Sequence, residues 1–403
     1  MKAYVARQPI FNKKKRVKAY ELLFRDGILN SFPDTNGEQA TSKLLSDSFM
    51  AIGIEQIAGG KKAFINFTEE LLLRKIPTMF PSEKIVVEVL EDVEPHQGVV
   101  EACQEMVEGG YEIALDDFVY RPSLEVLLPL TTVVKIDFQA LPIDEIKIYV
   151  EKLAKFPVKF LAEKVETYEE FQTALATGFD YFQGYFFSKP QILSERDISP
   201  SRLNLLRIMA EVNKEDFSFE DLEKLIRRDV SISYKLLRYI NSAYFRRLKE
   251  ISSIKQAIIL LGEMGIRRFL SLISMSRLAS DKPDELIRTS IIRARLCEQL
   301  GKVSPKQVDI SELFTLGLFS LIDAILDNHM KNIMENLPLS EGIKSALIER
   351  KGLLAPYLEL AKAYEAGLWE KVVNLAEELG ISDEKIPEYY LDAVTWADSY
   401  ATL

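Results

Sequence analysis

Ile85-Val-Val-Glu-Val-Leu90, Tyr111-Glu-Ile-Ala-Leu115 and Val133-Val-Lys-Ile-Asp137 are short apolar runs, too brief for helices and rich in the branched residues that suit a strand buried on both faces. Roughly 20 residues separate one run from the next, enough for a crossover helix each time and far too many for a hairpin turn. Working outward, further runs of the same kind occupy Tyr4–Ile10, Val17–Phe24, Ala63–Phe67, Val158–Ala162 and Phe179–Phe182. The pattern predicts a βα repeat, and its number of strands predicts a closed α/β barrel of TIM type rather than a small open sheet.

The alternation ends at Ser188–Pro200, a segment with two prolines. Beyond it Leu203, Leu206, Ile208, Leu222, Leu225, Ile226, Leu236, Leu237 and Ile240 repeat at spacings of three and four, the signature of amphipathic helices. The expected organisation is a barrel over residues 1–190, a linker over 191–200 and an all-α domain over 201–403. A chain of 403 residues is too long for one core, so two domains also agree with its length.

Composition narrows the function. With 47% apolar and 28% charged residues the chain can bury enough surface to fold, and its net charge of −10 argues against nucleic acid as the main partner. Charge is uneven: residues 201–300 hold 19 basic and 13 acidic side chains, residues 301–403 hold 9 and 17. Eight basic residues between Lys224 and Lys249 are interleaved with Tyr234, Tyr239, Tyr244 and Phe245. They read as the solvated side of packed helices, with a nucleic-acid face as the alternative. Two cysteines far apart, Cys103 and Cys297, build neither a disulfide framework nor a thiolate zinc site, and His96 and His329 cannot supply a histidine-rich centre. His96 reads as a surface residue and His329 as a helix-end residue, while Trp369, Trp396, Tyr389 and Tyr390 read as core or interface aromatics. Arg7 interrupts any leader-like run and no apolar stretch approaches about 18 residues, so a cytoplasmic protein without a membrane span is expected.

In a parallel barrel the strand ends converge on one mouth. Here they carry Glu21, Asn66, Glu88, Asp116 and Asp117, Lys135, Glu163 and Gln183. Any one of these alone reads as a structural polar residue; seven successive strands ending in a polar group read as a site. Five carboxylates gathered together repel one another and resist desolvation, and Lys135 alone cannot balance them. Hard, oxygen-seeking cations, Mg²⁺ or Mn²⁺ and two rather than one, fit such a set, which is that of two-metal phosphate-ester hydrolysis. Asp137 and Glu166 lie just downstream and are left open between surface groups and groups that support the site from behind.

These motifs resemble the EAL family of cyclic di-GMP phosphodiesterases: Gln8-Pro-Ile10, Glu21-Leu-Leu-Phe-Arg25, Phe64-Ile-Asn-Phe-Thr68, Glu88-Val-Leu-Glu91, Ala114-Leu-Asp-Asp-Phe118, Val134-Lys-Ile-Asp137, Glu163-Lys-Val-Glu-Thr167 and Gln183-Gly-Tyr185, in that order. The resemblance implies one ion on Glu21, Asn66, Glu88 and Asp116 and a second on Asp116, Asp117 and Glu163. It also implies that Lys135 orients the attacking water or holds a phosphoryl oxygen, that Gln183 positions the water, that Glu163 is a candidate proton acceptor, and that Gln8 and Arg25 touch the dinucleotide. The family's glycine-rich loop after the paired aspartates is here Val119-Tyr-Arg-Pro-Ser-Leu124, although Glu91, whose counterpart braces that loop, is present. Lys164 stands where the family has glycine, and the proline-rich segment between Arg25 and Asn66 is missing. These departures bear on turnover, dimer geometry and substrate affinity.

Asp229–Phe245 and Ile254–Gly262 resemble the HDOD domain, a helical relative of HD phosphohydrolases. Where those enzymes place a His-Asp pair, after Leu313–Phe319, this chain has Ser320 and Leu321, so no metal chemistry is expected there. The whole chain is similar to EAL–HDOD signalling proteins. The resemblance implies hydrolysis of cyclic di-GMP to linear pGpG, a homodimer through the barrel, and a protein partner for the helical domain. The alternative is a catalytically silent cyclic di-GMP receptor or scaffold that relays occupancy through the HDOD domain; the barrel alone would also allow a metal-assisted lyase with Lys135 as base.

Overall fold

The computed structural model describes residues 4–24, 54–189, 230–242, 245, 251, 253–279, 282–335, 337, 339–401. The chain divides into two compact units, Met1–Lys189 with Tyr364–Trp369, and Pro190–Ala363 with Glu370–Leu403.

The first unit is a closed barrel of eight strands in sequential order. Its strands are β1 (Val5–Asn12), β2 (Val17–Phe24), β3 (Lys62–Phe67), β4 (Ile85–Val89), β5 (Glu112–Leu115), β6 (Val133–Asp137), β7 (Lys159–Glu163) and β8 (Tyr181–Gln183). From β2 to β8 every pairing is parallel, as the long spacers predict. The first strand runs the other way. A short turn joins it to β2, and it pairs antiparallel with both β2 and β8, closing the barrel. The four residues between Asn12 and Val17 are too few for a crossover, so β1 and β2 form a hairpin. Strand ends shift by one or two residues from the sequence reading: Phe179 precedes β8 and packs against Phe138 and Phe160.

Alternation sets the interior. Ile10, Ala19, Phe64, Val86, Ala114, Val133 and Leu161 form one buried apolar layer, with Tyr181 packed against it. Two residues further along β2 to β8 lies the next inward position, occupied by Glu21, Asn66, Glu88, Asp116, Lys135, Glu163 and Gln183. On the reversed β1 the same level is reached two residues earlier, at Gln8.

Among the outer helices are α1 (Ile54–Ala58), α2 (Glu69–Leu73), α3 (Gln97–Glu108), α4 (Ile143–Leu153) and α5 (Tyr168–Thr177). His96 is exposed, as expected, and it also caps α3, its Nδ1 accepting from Gly98 N at 3.2 Å while Nε2 lies 3.0 Å from Glu69. Cys103 is buried on α3, where desolvation pushes its thiol up to about 11; Cys297 is buried too, and neither is in a disulfide.

The second unit is helical, with α6 (Val230–Ile240), α7 (Ile254–Leu278), α8 (Asp284–Val303), α9 (Ile310–Phe319), α10 (Ile322–Leu326), α11 (Met330–Glu335), α12 (Glu341–Ile348), α13 (Ala355–Glu365), α14 (Trp369–Leu379) and α15 (Ile386–Ala401) among its described residues. α8 packs against α9 and α15. Gly317 makes the first of these contacts possible, because a Cβ there would stand 2.5 Å from the Ala294 Cα. Arg293 donates to Ser320 Oγ at 3.3 Å, and Ser320 and Leu321 are both buried. His329 lies just before α11, its carbonyl accepting from Ile333 N at 3.2 Å. Trp396 and Tyr390 are buried core aromatics, Trp396 stacking edge-on with Tyr400 and donating to Tyr239 at 3.1 Å. Within the basic stretch, Tyr239 is buried while Tyr234 is exposed beside Arg238, 5.7 Å from its ring; much of the rest lies outside the described residues. No described helix is long and apolar enough to cross a membrane.

Candidate active site

Strand register brings the rim residues to one level. Asn66 sits opposite Glu88, and Asp137 opposite Glu163. At the centre stands Lys135, with no exposed surface, its Nζ 2.6 Å from Asp116 Oδ1, 2.7 Å from Glu88 Oε1, 3.0 Å from Glu163 Oε1 and 3.4 Å from Glu21 Oε1. Gln183 Nε2 donates to Glu21 Oε2 and, at 3.0 Å, to Gln8 Oε1; Asn66 Nδ2 reaches Glu21 Oε1 at 3.5 Å. Gln8, Glu21, Asn66, Glu88, Asp116, Lys135, Glu163 and Gln183 thus form one connected rim. Asp117 stands beside it, partly exposed and facing Lys164. Arg25 lies outside the described residues.

Fully ionised, four carboxylates around one ammonium would leave a net excess of three negative charges in a buried place. Desolvation holds Glu88 well above the ordinary carboxylate range, an effect Lys135 opposes and Glu21 and Asp116 reinforce. Desolvation likewise pushes Glu163 up to about 8, against the pull of Lys135 and with the push of Asp116 and Glu21. Burial by itself would discharge Lys135, but Asp116, Glu163, Glu21 and Glu88 together keep it well above its usual value.

No three Asp, Glu, His or Cys groups among the described residues are grouped so as to hold a metal ion as they stand, since Lys135 fills the space the carboxylates face. The donor chemistry nevertheless fits a hard divalent cation. Asn66 Oδ1, Glu88 Oε2, Asp117 Oδ1 and Glu163 Oε2 are buried oxygens with no hydrogen-bond partner, the kind of donor a hard divalent cation takes.

The loops behind the rim explain other motif residues. Gly184 follows Gln183 with φ 139°, and a Cβ there would lie 2.1 Å from Val165 O. This close approach joins the turn after Glu163 to β8, through Val165 N to Gln183 O at 2.9 Å and Phe186 N to Val165 O at 3.1 Å. Thr167 and Glu170 then form a capping box that starts α5. Asp137 proves to be a supporting group, taking Lys164 and the amides of Gln139 and Ala140, whereas Glu166 pairs at the surface with Lys189 at 2.9 Å.

The loop after Asp117 is held without glycine. Arg121 donates to Glu91 O at 2.8 Å and to Glu94 Oε1 at 3.2 Å, Tyr120 donates to Glu125 at 2.6 Å, and Lys152 lies over the Tyr120 ring. The carboxylate of Glu91 is exposed, so its contact with the loop is through the main chain. Asp116, Asp117, Glu91, Val119 and Arg121 help to line a pocket of about 220 Å³. Arg121→Ala is expected to leave overall stability within about 1 kcal/mol, its ion pair being exposed, while amide exchange of Leu124 quickens about tenfold. Unchanged exchange there would show that the loop does not depend on Arg121.

Reading by residue type missed the brace formed by Arg121. It also missed Arg7, which is buried, donates to Ile57 O and lies 4.5 Å from the Tyr20 ring centre. Its isolated position in an apolar run was the available signal.

The closed eight-stranded barrel with an acidic rim at its strand ends agrees with the EAL resemblance of its motifs. The EAL domain model matches residues 39–190 and the HDOD domain model residues 201–351. The chain is 39% identical to the cyclic di-GMP phosphodiesterase CdgJ of Vibrio cholerae, over 98% of this chain and 92% of that one. It is 38% identical to the uncharacterized protein YuxH of Bacillus subtilis, over 98% of each chain. The solved structure of the Bacillus subtilis YkuI protein, which has an EAL domain and is in complex with substrate c-di-GMP and calcium, matches at 20% identity over 65% of this chain and 73% of that one, with a TM-score of 0.37. The chain belongs to the family of two-domain proteins in which an EAL domain is followed by an HDOD domain.

Proposed function

We propose that the barrel hydrolyses cyclic di-GMP to linear pGpG with the help of divalent cations, and that the helical unit is a regulatory or partner-binding module. The observation that carries this reading is the rim itself: eight polar side chains at one level of the barrel, four of their carboxylates drawn around Lys135. Kinship with CdgJ supports the substrate.

In this reading Glu21, Asn66, Glu88 and Asp116 hold one cation and Asp116, Asp117 and Glu163 a second, Mg²⁺ or Mn²⁺. When bound, the ions supply positive charge to the phosphate and acidity to the attacking water. Gln183, hydrogen-bonded to Gln8 and Glu21, positions that water. Lys135 holds a phosphoryl oxygen or orients the water, and Glu163 accepts its proton. The water oxygen bonds to phosphorus as one P–O ester bond breaks, and the released ribose hydroxyl takes up a proton. Gln8 and Arg25 contact the dinucleotide, and Glu91 supports the loop through its carbonyl.

Domain limits of 1–190, 191–200 and 201–403, a barrel-to-barrel homodimer and a protein partner for the helical domain complete the proposal. The test is to incubate the purified chain with cyclic di-GMP and Mn²⁺ or Mg²⁺ and follow the linear product. Product formation by the wild type and its loss in Glu21→Ala are expected. Tight binding of the dinucleotide without turnover would instead make the protein a receptor, and equal turnover by Glu21→Ala would refute the site.

A further inference from the structure

Two residues bordering the rim have left-handed backbones although neither is glycine: Asp117 at φ 37° and Lys164 at φ 54°. For lysine this conformation costs about 1 kcal/mol that glycine would avoid. Lys164 Nζ donates to Asp137 Oδ2 and stands 3.8 Å from Asp117 Oδ1. Asp137 is itself fixed by Gln139 N at 2.7 Å and Ala140 N at 3.0 Å, and it lies in register with Glu163, so the ammonium is tethered on the Asp117 and Glu163 side of the mouth. Lys135 stands against Asp116, Glu88, Glu163 and Glu21. Asp117 Oδ1 meanwhile accepts no hydrogen bond, and of the two ammonium groups that offset its charge Lys164 acts more strongly than Lys135.

We propose that Lys164 is a positioning residue, a built-in cation that balances Asp117 where the second divalent ion would sit, so that this ion binds only by displacing the ammonium. The inference rests on the divalent-cation reading of the rim. Its consequence is an enzyme whose first ion binds more tightly than its second and whose activity rises late with divalent concentration. No bond is made or broken in the exchange; one positive charge leaves Asp117 as another arrives.

The test is calorimetric titration of Mn²⁺ into the full chain after chelator stripping, at pH 8, for the wild type, Lys164→Gly, Lys164→Asn and Lys164→Arg. The two neutral variants also suit the left-handed backbone, so neither is expected to misfold. The weaker class of Mn²⁺ sites should tighten at least about tenfold in both neutral variants, or become visible only in them, while the tighter class stays within about twofold and Lys164→Arg behaves as the wild type. Equal weak-site affinities in all four proteins would overturn the role of Lys164 and leave the metal reading standing. No Mn²⁺ uptake by any of them would remove the metal reading and this inference together.

Discussion

Lys135→Met is expected to lower the stability of the metal-free barrel by about 3–5 kcal/mol at pH 8, the range seen when one partner of a buried ion pair is removed. The reason is geometric. Lys135 has no exposed surface and lies within 3.4 Å of four carboxylates, which lose their common counter-charge when it goes. Methionine replaces the aliphatic stem without the charge, so the loss reports electrostatics rather than a cavity. The defect should shrink at pH 5.5, where protons can take the place of the ammonium, and shrink again in millimolar Mn²⁺. Cyclic di-GMP turnover should fall by about 10²–10³-fold with Mn²⁺ present, the scale of losing one preorganised charge at a reacting phosphate. Urea unfolding with and without chelator measures the first effect and product formation the second. A stability change below about 1 kcal/mol would mean that the carboxylates are balanced by something other than Lys135.

Glu88→Gln should act in the opposite direction on stability while abolishing function. Glu88 is fully buried, and desolvation holds its carboxyl well above the ordinary range, so the folded, metal-free protein binds a proton that the unfolded chain releases. Glu163, pushed up to about 8, does the same. For groups of this sign stability falls as pH rises between their ordinary value of 4.5 and the raised one, by up to about 1.4 kcal/mol per pH unit for each proton. Glutamine imitates the protonated form. The variant should therefore be more stable than the wild type at pH 8 without metal, with a flatter pH profile, the remaining slope belonging to Glu163. Added Mn²⁺ should stabilise the wild type more than the variant, because the variant has lost an anionic oxygen donor. Turnover should drop at least about 10²-fold. A variant less stable than the wild type at pH 8 would show that Glu88 is ionised and paired in the folded state.

Both results turn on the same pattern, and much of it could be read from residue order. A strand buried on both faces has no reason to contain Glu88 or Lys135 unless something there repays their desolvation. The two-residue step from the layer of Ala19, Phe64, Val86, Ala114, Val133 and Leu161 to the polar positions is a property of the pleat alone. Gln8 was reached only through family resemblance, because the step runs backwards on a strand whose direction the reading of βα spacers had not fixed. Asp137 and Glu166, which spacing left equivalent, differ in what faces them: Lys164 and two amides in one case, exposed Lys189 in the other. The brace of Arg121 on Glu91 O was out of reach, since it joins a side chain to a main-chain atom 30 residues away.

What the sequence determined by itself is the alternation of short buried strands and crossover segments, the helical second half, and the set of oxygen donors, because these follow from periodicity and composition. The tertiary structure alone decided the antiparallel first strand, the seating of Lys135 at the centre of the carboxylates, and the pairing of Lys164 with Asp137 and Asp117. Charges brought together across the barrel by register and closure acquire their energies from distance and burial, and neither quantity is encoded in the order of residues along the chain.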